Sequence, residues 1–201
     1  MDFYYFRKMI RKLPGVVIKA VPKPAPRIME GFGARREAGT ICAEKGLHSC
    51  LLVTDTTLFR LGYHKKIAES LEEAGIRYQI FSDISSEPTV DIIDRGCAAA
   101  ASCQAEAIIA LGGGSVLDSC KIIAAGTKMK RRSTRALLLK FRPVPGKTIP
   151  MISVPSTAGT GAEITVGAVV TSRSLPKRSP RSSSLSLTAG TTWRICAWSS
   201  V

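Results

Sequence analysis

The chain has 201 residues and is 45% hydrophobic, enough for one domain of ordinary size and too short for two large ones. The formal net charge is +14, but residues 28–126 contain thirteen Asp/Glu and only nine Lys/Arg, so the basic excess lies elsewhere. This uneven placement argues against a nucleic-acid-binding protein, and we expect no nucleic-acid partner. No apolar run approaches the roughly 20 residues of a membrane-spanning helix, so we expect no membrane partner.

Composition divides the chain into three segments. Residues 1–27 form a basic N-terminal extension that ends in a proline-rich connector, and residues 28–171 contain the patterned part of the chain. Residues 172–201 include nine Ser and no acid, and their apolar residues have no persistent period. We therefore expect a tail there that is disordered or arises from a frameshift.

Apolar periodicity predicts an alternation of helices and strands between residues 35 and 171. The predicted elements are a helix at 35–46, a strand at 49–55, a helix at 60–74, a strand at 76–81, a helix at 88–103, a strand at 105–111, a helix at 115–125, and strands at 148–155 and 164–171. This order predicts an α/β fold with a Rossmann-like parallel sheet and helices on both faces.

Six cysteines occur, and none forms a C-x-x-C pair. This pattern is typical of reduced thiols that pack as small hydrophobic side chains in a cytoplasmic protein.

A glycine turn follows the predicted strand at 105–111. Gly112, Gly113 and Gly114 precede Ser115, and a helical pattern begins at once. Backbone N–H groups freed by such a turn, together with a helix N-terminus, can bind a phosphate. Ser115 is a candidate helix cap, and Asp118 would then complete a capping box. The sequence lacks a G-x-x-x-x-G-K-[ST] motif and a G-x-G-x-x-G motif after the first strand, so neither common phosphate loop is indicated.

Asp55 ends the first buried strand. An acid in that position can bind a ribose diol and repel a 2′-phosphate, which favours NAD over NADP. The same residue can equally serve as a helix cap, so both roles remain open.

A second polar cluster, PSTAGTGAE, spans residues 155–163 and follows the predicted strand at 148–155. The hydroxyls of Ser156, Thr157 and Thr160 could bind phosphate, ribose or a nicotinamide amide in a tight loop. An ordinary Ser/Thr turn is the alternative interpretation.

Taken together, these clusters resemble the iron-containing (group III) alcohol dehydrogenase family over residues 28–171. The matching residues are VTD (53–55), PT (88–89), GGGSVLDSCK (112–121) and IPMISVPSTAGTGAEIT (149–165). The resemblance implies a two-domain oxidoreductase in which an N-terminal α/β domain binds NAD and a C-terminal helical domain holds iron or another divalent metal. It implies hydride transfer between NAD and a small alcohol or aldehyde substrate.

By the same resemblance, Asp55 would hold the adenosine ribose, the glycine turn the pyrophosphate, and the threonines the nicotinamide half. Lys121 matches the motif as a structural or cofactor-proximal residue. The candidate cofactor-binding residues are Asp55, Gly112, Gly113, Gly114, Ser115, Asp118, Ser156, Thr157 and Thr160.

The chain departs from the family in its metal ligands. The family uses one Asp and three His in the helical domain, whereas this sequence contains only His48 and His64, both in its N-terminal half. We therefore predict no metal ligand and no catalytic residue here, and a truncated chain that is inactive on its own. The alternatives are a non-catalytic NAD-binding or dimer-interfering fragment and a glycerol-dehydrogenase-like enzyme. A homodimer contact around residues 30–34 is also open.

Overall fold

The computed structural model describes residues 27–85, 88–128, 148–164, 167–170, 183–186 and 193–194. Within these ranges a 3-10 helix covers Ala34–Arg36. The further elements are α1 (Glu37–Glu44), β1 (Ser49–Asp55), α2 (Thr56–Arg60), α3 (Lys65–Glu73), β2 (Arg77–Ile84), α4 (Val90–Ser102), β3 (Ala107–Gly112), α5 (Gly114–Lys128), β4 (Met151–Pro155), β5 (Gly167–Val170), β6 (Ser183–Ser186) and β7 (Trp193–Arg194).

The main sheet has the order β2-β1-β3-β4-β7, and every neighbouring pair in it is parallel. β1 pairs with β2 on one side and with β3 on the other, so the strand order changes direction between β1 and β3. In open parallel sheets of this kind, ligands bind beyond the carboxyl ends of the strands at such a switch point. The predicted α/β class with a parallel sheet is confirmed.

Helices cover both faces of the sheet, as predicted. The strands β1, β3 and β4 are almost wholly buried, which accounts for their continuous apolar runs. Successive side chains of a strand point to opposite faces, so each strand contributes to two separate cores. One core packs against α4 and α5 and includes Leu51, Val53, Ile108, Ala110, Ile93 and Leu117. The other packs against α1 and α3 and includes Leu52, Ile109, Ile152, Ile41, Ile67 and Leu71.

The structure differs from the sequence prediction at two elements. The helix predicted at 60–74 is wrong in its first turn, because α2 ends at Arg60 and a turn with a left-handed Gly62 (φ 75°) precedes α3. Within the strand predicted at 164–171, the described residues Gly167–Val170 form a strand that does not join the parallel sheet. It forms β5, which pairs antiparallel with β6 inside the segment predicted to be a tail.

The N-terminal extension lies outside the described residues except for Arg27, and so does the basic stretch of residues 128–147 except for Lys128. The division of the chain at residues 27 and 171 therefore stays a prediction. Five cysteines are described, and all are free thiols as expected. Burial raises the pKa of the Cys120 thiol, which keeps it neutral in the core. None of the helices in the described ranges has the length and apolarity to cross a bilayer.

Candidate functional site

The carboxyl ends of three neighbouring strands place the predicted polar clusters along one edge of the sheet. Asp55 ends β1, Gly112 ends β3, and Pro155 ends β4 directly opposite Gly112. The amide of Ser156 donates a hydrogen bond to the carbonyl oxygen of Gly112 at 3.0 Å, which ties the start of the polar loop to the end of β3. Gly112 and Ser156 are 44 residues apart in sequence, and the two candidate loops to which they belong therefore meet at this edge.

The glycine turn leads directly into α5. Gly112 is buried, whereas Gly113, Gly114 and Ser115 are half-buried. The carbonyl oxygen of Gly113 accepts hydrogen bonds from the amides of Val116 and Leu117, both at 3.0 Å. Gly113 therefore occupies the N-cap position directly before α5, and Ser115 lies in the first turn of the helix rather than at the predicted cap. A helix N-terminus with this turn beside it has the donors and the partial positive charge that bind anions.

None of the three glycines adopts a positive φ, so backbone conformation does not explain them, and space explains only Gly112 and Gly113. A Cβ on Gly112 would lie 2.5 Å from Val116 Cγ2, inside the core. A Cβ on Gly113 would lie 3.2 Å from Thr157 Oγ1, and one on Gly114 would lie 3.5 Å from Thr160 Cβ. Gly112 is therefore required by core packing, and Gly113 avoids crowding against the facing loop, whereas a Cβ on Gly114 would fit at an ordinary contact distance.

Asp55 is a helix cap in this structure. Its Oδ1 accepts a hydrogen bond from the amide of Leu58 at 2.9 Å, at the start of α2. The side chain is half-buried at the edge of the sheet, next to the switch point. The capping alternative is thus present in the structure, and contact of Asp55 with a ribose stays a prediction.

The loop of residues 156–160, here called the threonine loop, is exposed throughout. Two glycines with positive φ angles shape the end of the loop: Gly159 within it (φ 90°) and Gly161 directly after it (φ 59°). Thr160 Oγ1 accepts a hydrogen bond from the amide of Ala162 at 3.3 Å, which holds the end of the loop in a turn. The loop therefore presents its hydroxyls to solvent above the glycine turn, where a ligand could reach them.

An ion pair lies on α5 behind the glycine turn. Lys121 Nζ is 2.8 Å from Asp118 Oδ1, and the exposed fractions of the two side chains are only 4% and 16%. Sequence analysis identified both residues through the motif but did not predict that they pair. Charges buried this deeply are uncommon and are normally paired, so the presence of this ion pair requires an explanation.

Sequence reasoning missed two buried hydroxyl groups. Thr54 Oγ1 and Ser153 Oγ have no hydrogen-bond partner among the described residues, although both side chains are fully buried. Thr54 immediately precedes Asp55 in β1, and Ser153 lies in β4 beneath the threonine loop. The available signal was a hydroxyl residue inside each of two otherwise apolar strand runs.

The described residues contain no group of three His, Cys, Asp or Glu side chains that could hold a metal ion. His48 is exposed and directly precedes β1. His64 lies in the turn before α3, not on the predicted helix face, and its ring stacks on Phe59 with centroids 4.5 Å apart. The residues in these ranges therefore do not fit the family's divalent metal.

The comparison with protein families matches the model of the iron-containing alcohol dehydrogenases over residues 25–187. Together with an open parallel α/β sheet and a glycine turn at its switch point, this match defines the class of the protein. The chain belongs to the iron-containing alcohol dehydrogenase family, which confirms the resemblance seen in the sequence.

Curated relatives agree with this assignment. The chain is 31% identical to lactaldehyde reductase of Escherichia coli over 127 residues, which cover 63% of this chain and 33% of that protein. It is 35% identical to the bifunctional aldehyde-alcohol dehydrogenase of Escherichia coli over 144 residues, covering 67% of this chain and 16% of that protein. The matched part therefore spans a third or less of each of these two relatives.

Solved structures share the fold. Sulfoacetaldehyde reductase from Bifidobacterium kashiwanohense, solved in complex with NAD+, superposes with a TM-score of 0.77 at 25% identity, covering 87% of this chain and 45% of that one. NADH-dependent butanol dehydrogenase A from Thermotoga maritima superposes with a TM-score of 0.75 at 22% identity, covering 88% of this chain and 44% of that one.

Proposed function

We propose that the described domain binds NAD at the carboxyl edge of its sheet and is the cofactor-binding part of an alcohol dehydrogenase. Family membership supports NAD binding as the function. The polar residues gathered at one edge of the sheet support the location of the site. Asp55, the glycine turn and the threonine loop all follow strand ends next to the switch point. We assign the adenosine ribose to Asp55, the diphosphate to the glycine turn, and the nicotinamide half to the threonine loop.

Two observations fit a dinucleotide at this edge. A Cβ on Gly113 would lie 3.2 Å from Thr157 Oγ1, so glycine at this position keeps a side chain from crowding the backbone of the turn against the threonine loop. Asp55 Oδ1 is used by the amide of Leu58, and a carboxylate has further lone pairs with which to accept from a ribose diol. Bound NAD would supply the hydride acceptor, and these residues would bind and orient it.

The substrate is proposed to be a small alcohol or aldehyde, in a cytoplasmic enzyme and without a nucleic-acid or membrane partner. Curated relatives named as a lactaldehyde reductase and an aldehyde-alcohol dehydrogenase support this substrate class. Ser156 remains a candidate cofactor-binding residue. Asp118 is paired with Lys121, so we expect it to act on the cofactor through that ion pair and not by direct contact. A homodimer remains a proposal that size measurement in solution would test.

A non-catalytic NAD-binding protein is the second candidate function. The observation that favours it is the lack of a three-donor metal group in the described ranges, since the family's chemistry uses a metal. The two candidates share NAD binding and differ in turnover. Adding Fe2+ or Zn2+ together with NAD and small alcohols separates them, because only an active enzyme would form NADH.

Calorimetric titration of the whole chain with NAD and with NADP tests the proposed site. We expect NAD to bind more tightly than NADP, because the Asp55 carboxylate repels a 2′-phosphate. Asp55→Asn retains a good helix cap, so stability should be unchanged, while NAD affinity should fall by about tenfold with loss of a charged hydrogen-bond acceptor. Glu44→Gln, at the far end of α1, removes the same charge from an exposed position and is the matched control. Folded wild-type protein that binds no NAD would refute the proposed function.

A further inference from the structure

The buried ion pair on α5 lies on the same stripe of the helix as the glycine turn. Gly114, Asp118 and Lys121 are spaced four and three residues apart, so they share one face. That face looks toward the threonine loop and the residues after it, since a Cβ on Gly114 would lie 3.5 Å from Thr160 Cβ and 3.8 Å from Ala162 Cβ. The pair therefore lies directly behind the part of the turn that would hold a diphosphate.

The direction of the Lys121 side chain also brings its ammonium group toward the glycine turn. Side chains on a helix lean toward its N-terminus, and the 2.8 Å contact places the Lys121 ammonium at the level of Asp118, about one helical turn from Gly114. Without the ammonium, the Asp118 carboxylate would place a negative charge close behind an anion-binding turn. Its exposed fraction is only 16%, so solvent would screen that charge weakly.

Stability alone is a poor explanation for this pair. The free energy needed to remove two charges from water is about as large as the free energy gained from their attraction. A protein with an apolar pair of similar volume at these positions is therefore often as stable or more stable. A helix position in the core that keeps a lysine therefore suggests a role for its charge. A diphosphate next to the helix N-terminus is the group that would respond to that charge.

We propose that Lys121 is a positioning residue that neutralises the Asp118 carboxylate behind the glycine turn, so that the turn can bind a diphosphate. This inference rests on the proposed function, because it takes the turn to be the diphosphate site. Lys121 does not contact the cofactor in this scheme. It acts through Asp118 and through the electrostatic potential at the start of α5.

The test compares ADP with adenosine, which lacks the diphosphate, by NMR titration of the whole chain. For Lys121→Met we expect ADP affinity to fall by roughly tenfold, the effect of one charge about 10 Å away in a medium of effective dielectric constant about 20. Adenosine affinity should stay within about twofold, since an uncharged ligand does not respond to that charge. The double variant Asp118→Asn/Lys121→Met removes both charges and should recover most of the lost ADP affinity.

Asp118→Asn alone keeps the proposal testable if Lys121→Met fails to fold, which urea denaturation would show. It leaves the ammonium in place and should raise ADP affinity several-fold. The inference is overturned if Lys121→Met binds ADP as the wild type does, if it loses ADP and adenosine equally, if the double variant shows no recovery, or if Asp118→Asn weakens ADP. Wild-type protein that binds neither ADP nor adenosine would overturn the proposed function as well. Failure of the Lys121 inference alone is distinguished from this, because the wild type would then still bind ADP.

Discussion

Replacing Gly112 by alanine tests the packing reason for the first glycine of the turn. The added Cβ would lie 2.5 Å from Val116 Cγ2 and 2.7 Å from Val116 Cβ. Val116 is 2% exposed and β-branched, so its side chain cannot rotate away, and the first turn of α5 would have to shift. Overpacking of this kind costs about 1–3 kcal/mol, and we expect Gly112→Ala to lower the free energy of unfolding by that amount.

Gly114→Ala is the matched control, because its Cβ would meet Thr160 at an ordinary distance of 3.5 Å. It should leave the free energy of unfolding unchanged or raise it by up to about 1 kcal/mol, since alanine favours a helix more than glycine does. Urea denaturation followed by circular dichroism measures both variants. Adding Val116→Ala to Gly112→Ala should relieve the overlap, so the double variant should lose less than the sum of the two single losses. Equal stability of Gly112→Ala and Gly114→Ala would refute the packing argument, and so would strict additivity.

Three further predictions concern packing and titration. Gly39→Ala would place its Cβ against the backbone carbonyl of Ser70, which cannot rotate, so we expect a loss of more than about 3 kcal/mol in urea denaturation. Burial and the neighbouring lysine lower the pKa of His64, so the folded state binds fewer protons than the unfolded state below the ordinary pKa of 6.5. Stability should therefore fall as the pH drops from 6.5 toward the lowered value, and His64→Gln should remove that part of the pH dependence. The hydrogen bond from the Tyr78 hydroxyl to Glu72 raises the pKa of Tyr78 to about 12, so its contribution to stability should be lost between pH 10 and about 12, and should be absent in Tyr78→Phe.

Each of these predictions has a result that would contradict it. Thr40→Ala, exposed on the same helix as Gly39, should be nearly neutral, and an equal loss in both variants would show that α1 tolerates no change. A His64 proton resonance that titrates above 6.5 would reverse the expected sign. An ultraviolet absorbance titration in which Tyr78→Phe leaves the most alkaline transition intact would assign that transition to another tyrosine.

Local patterns in the sequence were sufficient for the element order and the fold class. The run SCLLVTD predicts β1 with the bounds that the structure has, because a strand buried on both faces is a continuous apolar run ended by a polar residue. The helix predicted at 60–74 was wrong at its start, since the apolar period continues through the turn at Gly62. The apolar period shows which side chains face the core. It does not reveal a turn in the backbone when the apolar side chains before and after the turn face the same core.

The partners of these elements depend on contacts between distant residues. The β-branched run near residue 167 predicts a strand, but the sequence did not show that this strand pairs with Ser183–Ser186 rather than with β4. The same limit applies to the site. The motif predicted that glycines and threonines lie at strand ends, and only the tertiary structure shows that Gly112 makes room for Val116, whereas Gly113 faces Thr157.

The sequence by itself determined the class of fold, the family, and the edge of the sheet at which the polar loops lie. These properties follow from the hydrophobic period and from motif spacing, which are features of the linear sequence. Only the tertiary structure decided that Asp55 caps α2 and that the Lys121 charge is buried against Asp118. The first depends on the distance between a carboxylate and a backbone amide, and the second on the distance between two charged side chains and on how much water reaches them. None of these quantities exists before the chain has folded.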